Sequence, residues 1–210
     1  MFAAWRGARG EGGASTRFSP APHRLEALSD GVFAIVLTLL ALELRLPDAA
    51  DDARFADVMA GNAALIGSYV ISFFIVGLLW KLQHMVLERI GRGVPGIHML
   101  NLAFLASVTL TPWSLGNLTG FPGDAMAVAT FSGLLLAAWL LLIAILTSAL
   151  AWQGADEAQR TRIRQLRISL TSGPLVAAAS IAVAPFSTDA ALYIWLALIP
   201  LSALSRRLAR

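Results

Sequence analysis

Cysteine is absent from this 210-residue chain, which excludes a disulfide framework and a thiolate metal site. Charge is also scarce, because Asp, Glu, Lys and Arg together make 14% of the residues, whereas soluble domains carry about 25%. Hydrophobic residues make 57% of the chain. We therefore predict an integral membrane protein, whose net charge of +3 reflects membrane topology rather than nucleic-acid binding.

Motifs for enzymatic chemistry are missing as well. The sequence has no G-x-S-x-G elbow, H-E-x-x-H pair, P-loop or G-x-G-x-x-G, and His23, His84 and His98 lack metal-ligand spacing. We therefore predict no enzymatic activity, no catalytic residues, no cofactor and no metal site. The TVGYG run of conventional potassium filters is also missing, which excludes a filter built from a ring of such carbonyls.

What the sequence does contain is a series of six apolar segments, each close to the roughly 20 residues that a membrane-spanning helix needs. The predicted fold is all-α and polytopic, with six transmembrane helices per subunit. The uncharged fourth segment is predicted to face lipid, and the sixth, with only 16 uncharged residues, needs tilt or snorkelling arginines to span. The predicted spans are 24–44, 60–86, 97–118, 125–152, 168–188 and 190–206.

Basic residues are distributed unevenly between the loops that six spans would create. Arg45 and Arg54 fall on one side, and the other 14 of the 16 Lys and Arg residues fall on the opposite side. Cytoplasmic segments carry the excess of Lys and Arg, so both termini are predicted to be cytoplasmic, in the cell membrane. Residues 1–22 are then a disordered cytoplasmic tail, 23–205 the transmembrane domain, and 206–210 a basic cytoplasmic C-terminus.

The first span, RLEALSDGVFAIVLTLLALEL, must carry charge into the bilayer, because only 12 uncharged residues separate Asp30 from Glu43. A carboxylate within a membrane usually faces a bundle interior or a water path. At 100° per residue, Asp30 points about 140° away from a stripe centred near Ile35. That stripe fits either ordinary helix packing or a narrow apolar lining interrupted by one hydroxyl. Its members are Ile35, Thr38, Leu39 and Leu42.

Several polar residues are expected to meet at one level of the membrane, near its cytoplasmic face. Asp30 lies six residues after Arg24, His84 follows the end of the second uncharged run, and Asn101 lies just inside the third span. A hydrogen-bonded cluster of these residues with Ser29 would satisfy the carboxylate and fix the rotation of the first helix. An interfacial His84 with a single hydrogen bond is the alternative.

The residues of the first span also resemble a known signature, R-x-x-x-F-S-D, which opens the first helix of the transmembrane protein 175 family, the lysosomal and prokaryotic potassium channels. The matching positions are Arg24, Leu28, Ser29 and Asp30, with Leu28 in place of the usual phenylalanine. WKLQHMVL at 80–87 resembles the end of that family's second helix, and NLAFLASVTLTPWS at 101–114 resembles its third. The resemblance covers about 24–114.

The resemblance implies a potassium-selective channel, a homotetramer in the lipid bilayer whose first helices line a central pore for potassium ions. It implies that Ile35 forms a hydrophobic constriction, which gates by dewetting, and that Thr38 offers the nearest oxygen to a passing ion. Leu39 and Leu42 would continue the lining. The signature and network that lock the helix would comprise Arg24, Ser29, Asp30, Trp80, His84 and Asn101.

Two other functions remain open at this point. A small proton-coupled secondary transporter would use Asp30 as its proton-binding carboxylate, with a histidine partner in a relay. No inverted repeat of the kind that many carriers contain is detectable in the sequence. A membrane scaffold without transport would use the Ile35 stripe only for packing.

Overall fold

The structure is a computed structural model that describes residues 22–44, 54–90, 94, 96–152, 156–198 and 201. Every regular element among these residues is a helix, which confirms the all-α prediction. The helices are α1 Pro22–Leu42, α2 Phe55–Gly61, α3 Ala63–Ile90, α4 Ile97–Thr109, α5 Thr111–Gly120, α6 Ala125–Ala151, α7 Glu157–Ser169, α8 Ser172–Val183 and α9 Thr188–Tyr193, followed by a 3-10 turn at Ile194–Ala197.

Five helical stretches among the described residues are long and apolar enough to cross a membrane. The first five predicted spans overlap them. The sixth prediction, 190–206, begins with α9 and the 3-10 turn, but most of its second half lies outside the described residues, so the count of six stays a prediction. The tails predicted at 1–22 and 206–210 also lie outside the described residues, apart from Pro22. The five stretches are Arg24–Leu42, Leu65–Ile90, Ile97–Gly120, Ala125–Ala151 and Glu157–Val183.

The third span is broken where its proline lies. α4 ends at Thr109, α5 begins at Thr111, and Pro112 occupies the first turn of α5. Proline has no N–H to donate and its ring clashes with the preceding turn, so an unbroken helix cannot pass through Pro112 without distortion. Proline is tolerated at a new helix start, where the N–H would be unpaired in any case.

α6 is the central helix of the subunit. It packs against α3, α4, α5, α7, α8 and α9, and its 11 buried side chains include Phe131, Trp139 and Leu142. The prediction that this span faces lipid is therefore wrong. An uncharged apolar helix suits a protein core as well as lipid, so composition alone cannot distinguish the two.

The C-terminal helices are fixed to α6 by a short chain of buried polar groups. Trp195 Nε1 donates to Ser132 Oγ at 3.3 Å, and the Ser132 and Ser180 hydroxyls lie 2.8 Å apart. Ser180 Oγ in turn donates to the carbonyl of Ala191 at 2.8 Å. Buried polar groups are costly unless paired, so this chain fixes how α8 and the segment after it pack on α6.

α7 is the helix that connects α6 to α8. The Asp156 side chain caps its N-terminus by accepting from the backbone N–H of Gln159 at 2.6 Å. Ile163 and Leu166 are buried, whereas the arginines at 162, 164 and 167 are exposed. Leu170 and Thr171 keep right-handed helical dihedrals, so α7 leads into α8 with little change of direction.

Candidate functional site

α1 is divided lengthwise into a buried face and an exposed face. Its buried residues recur every three or four positions, which places them on one side of the helix. That side packs on α3, α4 and α5, with the ring of Phe33 5.9 Å from the ring of Phe104 on α4. The buried residues, each at most 6% exposed, are Leu25, Ser29, Phe33, Val36 and Leu40.

The opposite face of α1 is exposed along the helix. Ile35 is 60% exposed, Leu42 63% and Leu39 40%, and Thr38 is exposed beside them. The structure therefore brings the four predicted lining residues to one exposed face. The described residues of the subunit leave half of this helix uncovered.

Thr38 is the only hydroxyl on that part of the exposed face. Its Oγ1 donates to the carbonyl of Ile35 at 2.7 Å, which satisfies the hydroxyl proton within the helix. The oxygen lone pairs remain available as acceptors on the exposed side. The face thus combines aliphatic side chains with one oxygen that could accept from water or approach a cation.

Three buried side chains, which we call the polar triad, join α1 to α3 and α4. Gln83 Nε2 donates to Ser29 Oγ at 2.8 Å and to Asn101 Oδ1 at 3.0 Å, and Asn101 Nδ2 donates to Ser29 Oγ at 3.2 Å. Ser29 Oγ donates to the carbonyl of Leu25 at 2.8 Å. Each triad side chain is at most 1% exposed. The triad fixes the rotation of α1 about its axis, because only one face of α1 carries Ser29.

His84 does not join this cluster, contrary to the sequence prediction. Its Nε2 lies 3.4 Å from Glu88 Oε1, and its side chain is 45% exposed. Gln83 occupies the position in the cluster that was predicted for His84. Adjacent residues of a helix point about 100° apart, so Gln83 and His84 cannot both face α1. Gln83 lies three and four residues from the buried Val86 and Leu79, so it shares their face of α3, which the sequence alone does not distinguish from the other faces.

Asp30 does not join the triad either, although it is the neighbour of Ser29. Its Oδ1 accepts from Trp80 Nε1 at 2.8 Å, and both side chains are exposed on the subunit. Trp80, predicted from the resemblance, therefore does contact the signature. Arg24 is exposed at the start of α1, and none of the side-chain hydrogen bonds or ion pairs among the described residues involves it.

Glu43 lies at the opposite end of α1, against α5. Its carboxylate occupies the space that a side chain at Gly116 would fill, since a Cβ there would lie 2.5 Å from Oε2. Glu43 is partly buried. The triad thus fixes α1 near one end, and the Glu43 carboxylate lies against Gly116 of α5 near the other.

The chemistry available at these residues is limited. Among the residues that the structure describes, no group of three or more His, Cys, Asp or Glu side chains could hold a metal ion. Asp30 bonds to an indole and His84 faces Glu88, so the Asp–His relay of the transporter alternative is not formed. The aliphatic side chains on the exposed face of α1 can exclude water from a space that this face borders.

Comparisons with known proteins converge on one family. Residues 24–112 match the family model described as the endosomal/lysosomal potassium channel TMEM175. The chain is 34% identical over 98 residues to a potassium channel of Streptomyces collinus, which covers 47% of this chain and 48% of that one. It is 28% identical over 146 residues to a potassium channel of Chamaesiphon minutus, covering 65% of this chain and 67% of that relative.

A mammalian relative is matched over a smaller share of its length. The endosomal/lysosomal proton channel TMEM175 of Bos taurus is 32% identical over 143 residues, which cover 62% of this chain and 30% of the bovine one. The chain thus spans about half the length, or less, of the first curated relatives that it matches.

The fold is also that of a solved structure. A TMEM175 homologue from Chamaesiphon minutus, described as a lysosomal potassium-selective channel homologue, superimposes with a TM-score of 0.73 at 21% identity. The superposition covers 88% of this chain and 97% of the other.

Proposed function

We propose that this chain, which matches the TMEM175 family model over residues 24–112, is a potassium-selective channel, through which K⁺ flows passively down its gradient. The family is one of ion channels rather than enzymes. The observation that carries the proposal is the exposed face of α1, whose residues between Gly31 and Leu42 are apolar except for Thr38.

One α1 helix cannot enclose a path for ions, so the proposal requires several copies of the chain. Homo-oligomers usually have closed cyclic symmetry, which places the same face of each copy around one axis. We propose a homotetramer with the α1 helices at the centre. α6 then separates the pore from α8 and α9, which pack on its far side and face lipid.

The position of Asp30 supports such an assembly. A carboxylate within the bilayer costs about 2.5–3.5 kcal/mol on insertion scales, and a hydrogen bond to a charged group contributes about 1.5–3 kcal/mol. The single bond from Trp80 therefore offsets that cost only in part. A neighbouring copy that covers Asp30 and Trp80 would keep the carboxylate away from lipid tails.

Ile35 is the proposed constriction. A ring of isoleucines resists wetting, because water in an apolar neck loses hydrogen bonds that nothing there replaces. Thr38 lies about one turn further along the exposed face, so its oxygen is the first acceptor beyond the neck. The channel would thus open and close through wetting of a neck rather than through a ring of backbone carbonyls.

The proposed orientation follows the basic residues. Lys81 and Arg89 lie on the last turns of α3, and the four arginines of α7 lie at the same end of the bundle. We place that end in the cytoplasm, with both termini, in the cell membrane. We also propose that the transmembrane domain comprises residues 23–205.

Potassium flux in liposomes tests the function. The full chain, reconstituted with K⁺ inside and Na⁺ outside, should pass a current that reverses near the K⁺ equilibrium potential and grows with the gradient without saturating. Flux that saturates and depends on pH would instead identify a carrier. No flux from vesicles that contain correctly assembled protein would leave only the scaffold function.

Proton permeation is measured in the same vesicles, because the bovine relative is named a proton channel. A pH-sensitive dye inside the vesicles reports whether a proton gradient collapses when K⁺ is replaced by an impermeant cation. Collapse at a rate that matches the K⁺ flux would contradict potassium selectivity.

A further inference from the structure

α7 presents an exposed basic flank that the proposed pore does not use. The helix carries four arginines and one glutamate. Arg160 is committed to the protein, because its guanidinium donates to the carbonyls of Leu150 at 2.8 Å and Trp152 at 3.0 Å. Arg162, Arg164 and Arg167 are exposed.

Two of these arginines share a flank with apolar side chains. At 100° per residue, Arg164 and Arg167 point to the same side of the buried stripe of α7, and Ile168 lies next to Arg164 around the helix. Leu175 falls on that side too, because the helical dihedrals of Leu170 and Thr171 preserve the register into α8. Ile168 is 46% exposed and Leu175 is 65% exposed.

The flank therefore changes from basic to apolar along its axis. Arg167 and Leu175 are eight residues apart, which corresponds to about 12 Å of helix. Arginine stems lie along apolar surface while their guanidinium groups stay at the headgroup level. The switch from charge to aliphatic side chains near Ile168 matches the boundary between lipid headgroups and acyl chains.

The helix that carries this flank is held in place by contacts with the end of α3 and with the core. Gln159 Nε2 donates to the carbonyls of Arg89 and Ile90, both at 3.1 Å, which closes the C-terminus of α3. Ile163 is fully buried and Leu166 is 3% exposed. The exposed arginines thus project from a helix with a fixed position, and a ligand need not order it first.

We propose that Arg164 and Arg167 bind the phosphate of an anionic phospholipid, whose acyl chains lie along Ile168 and Leu175. Arginine suits phosphate because its planar fork donates two parallel hydrogen bonds. A membrane lipid is favoured over a soluble anion, because the apolar part of the flank would bind only a ligand with hydrocarbon chains. The carboxylate of Glu157 lies 3.6 Å from Arg164 and competes with the ligand.

Native mass spectrometry of the detergent-solubilised full chain tests the site, with short-chain phosphatidylglycerol and phosphatidylcholine as probes. Phosphatidylglycerol should bind more tightly than phosphatidylcholine. An arginine near an anionic membrane surface contributes about 1 kcal/mol, so Arg167→Gln should lower the affinity about fivefold. The double variant Arg164→Gln/Arg167→Gln should lower it about 25-fold.

Arg162→Gln is the matched control, since it removes the same charge from the other flank of α7. It should leave phosphatidylglycerol affinity within about twofold of the wild type. Arg167→Lys should retain most of the binding, and Glu157→Gln should strengthen it by releasing Arg164. A purely structural role of these residues would not produce that gain.

Three outcomes would overturn the site. Equal affinity for the two lipids would show that charge plays no part, and an equal loss in Arg162→Gln would show diffuse attraction rather than a site. Competition by inorganic phosphate as strong as that by the lipid would identify a soluble anion. None of these readouts involves ion conduction, so they are independent of the proposed channel.

Discussion

Ser29, Gln83 and Asn101 lie where neither water nor lipid can satisfy a polar side chain, and each forms a hydrogen bond with the other two. Ser29 Oγ accepts two hydrogen bonds and donates one, to the carbonyl of Leu25, which uses its full capacity. The removal of any one member therefore leaves buried donors or acceptors without partners.

Gln83→Leu should lower the free energy of unfolding in detergent by about 1–3 kcal/mol, the cost of leaving buried polar groups unpaired. Thermal unfolding of the purified protein, followed by circular dichroism, measures the change. His84→Leu is the control, because it alters the neighbouring residue, which lies outside the triad. A loss of stability in His84→Leu as large as that in Gln83→Leu would contradict the assignment.

Ile35→Asn should raise the resting conductance and reduce the discrimination of K⁺ from Na⁺, because an amide in the neck retains water there. Thr38→Ala should change selectivity with less leak, since it removes an oxygen without wetting the neck. Single-channel currents with K⁺ and Na⁺ on opposite sides measure both effects.

Leu196→Asn is the matched control for Ile35→Asn, because Leu196 is 49% exposed but lies on the 3-10 turn after α9, which packs on α8 and α9. Val36 would be a poor control, since it is 1% exposed and belongs to the core. If Leu196→Asn leaks as Ile35→Asn does, or if Ile35→Asn leaves conductance unchanged, Ile35 is not the constriction.

At the level of single residues, the sequence was sufficient for those whose direction follows from helical geometry. Ile35 and Ser29 point about 120° apart around α1, because the backbone fixes the angle between them. Gln83 was missed because the choice between it and His84 depends on the absolute rotation of α3. Only the packing of α3 against α1 and α4 determines that rotation.

Among the helices, α6 shows why burial in membrane proteins is hard to read from composition. Lipid tails are as apolar as leucine, so helices pack there through shape and close approach instead of hydrophobic contrast. Gly173 on α8 illustrates such close approach, since a Cβ at this position would collide with the indole of Trp139 on α6. The presence of the first five apolar spans was predictable because length and charge indicate them, but the central position of α6 was not.

Gly173→Ala should destabilise the subunit by about 1–3 kcal/mol, because the added methyl group forces α8 and Trp139 apart. Unfolding in mixed detergent micelles measures the loss. Gly133→Ala serves as the control, since a Cβ at Gly133 of α6 meets no atom within 4 Å. That variant should be at least as stable as the wild type, since alanine is favoured over glycine in a helix interior by about 0.8–1.0 kcal/mol. Similar stabilities of the two variants would show that α8 does not depend on this contact.

For the whole molecule, Asp30→Ala should weaken the assembly of subunits, because the Asp30–Trp80 pair lies on the surface that the proposed tetramer covers. Light scattering coupled to size-exclusion chromatography should show smaller particles than for the wild type at the same protein concentration. Asp57→Ala, at an exposed carboxylate on α2, is the control. A tetramer that resists dilution equally well in both variants would place Asp30 outside the subunit interface.

The membrane topology can be tested independently of function. Reporter domains fused after Arg210 and inserted after Ala50 should report opposite sides of the membrane, since an odd number of spans would separate them in the six-span arrangement. The unequal distribution of Lys and Arg between the two sides is what favours this six-span arrangement. Reporters on the same side would contradict six spans and would require the sixth segment to lie outside the bilayer.

Neighbouring residues of α1 lie on different faces of the helix and are therefore under different structural constraints. Phe33, Val36 and Leu40 are buried and pack in the core, whereas Ile35 and Thr38 are exposed. Substitutions at Ile35 and Thr38 can therefore alter the proposed pore while the fold is retained. A library for the directed evolution of ion preference should randomise positions 35, 38 and 42 together and leave 33, 36 and 40 unchanged.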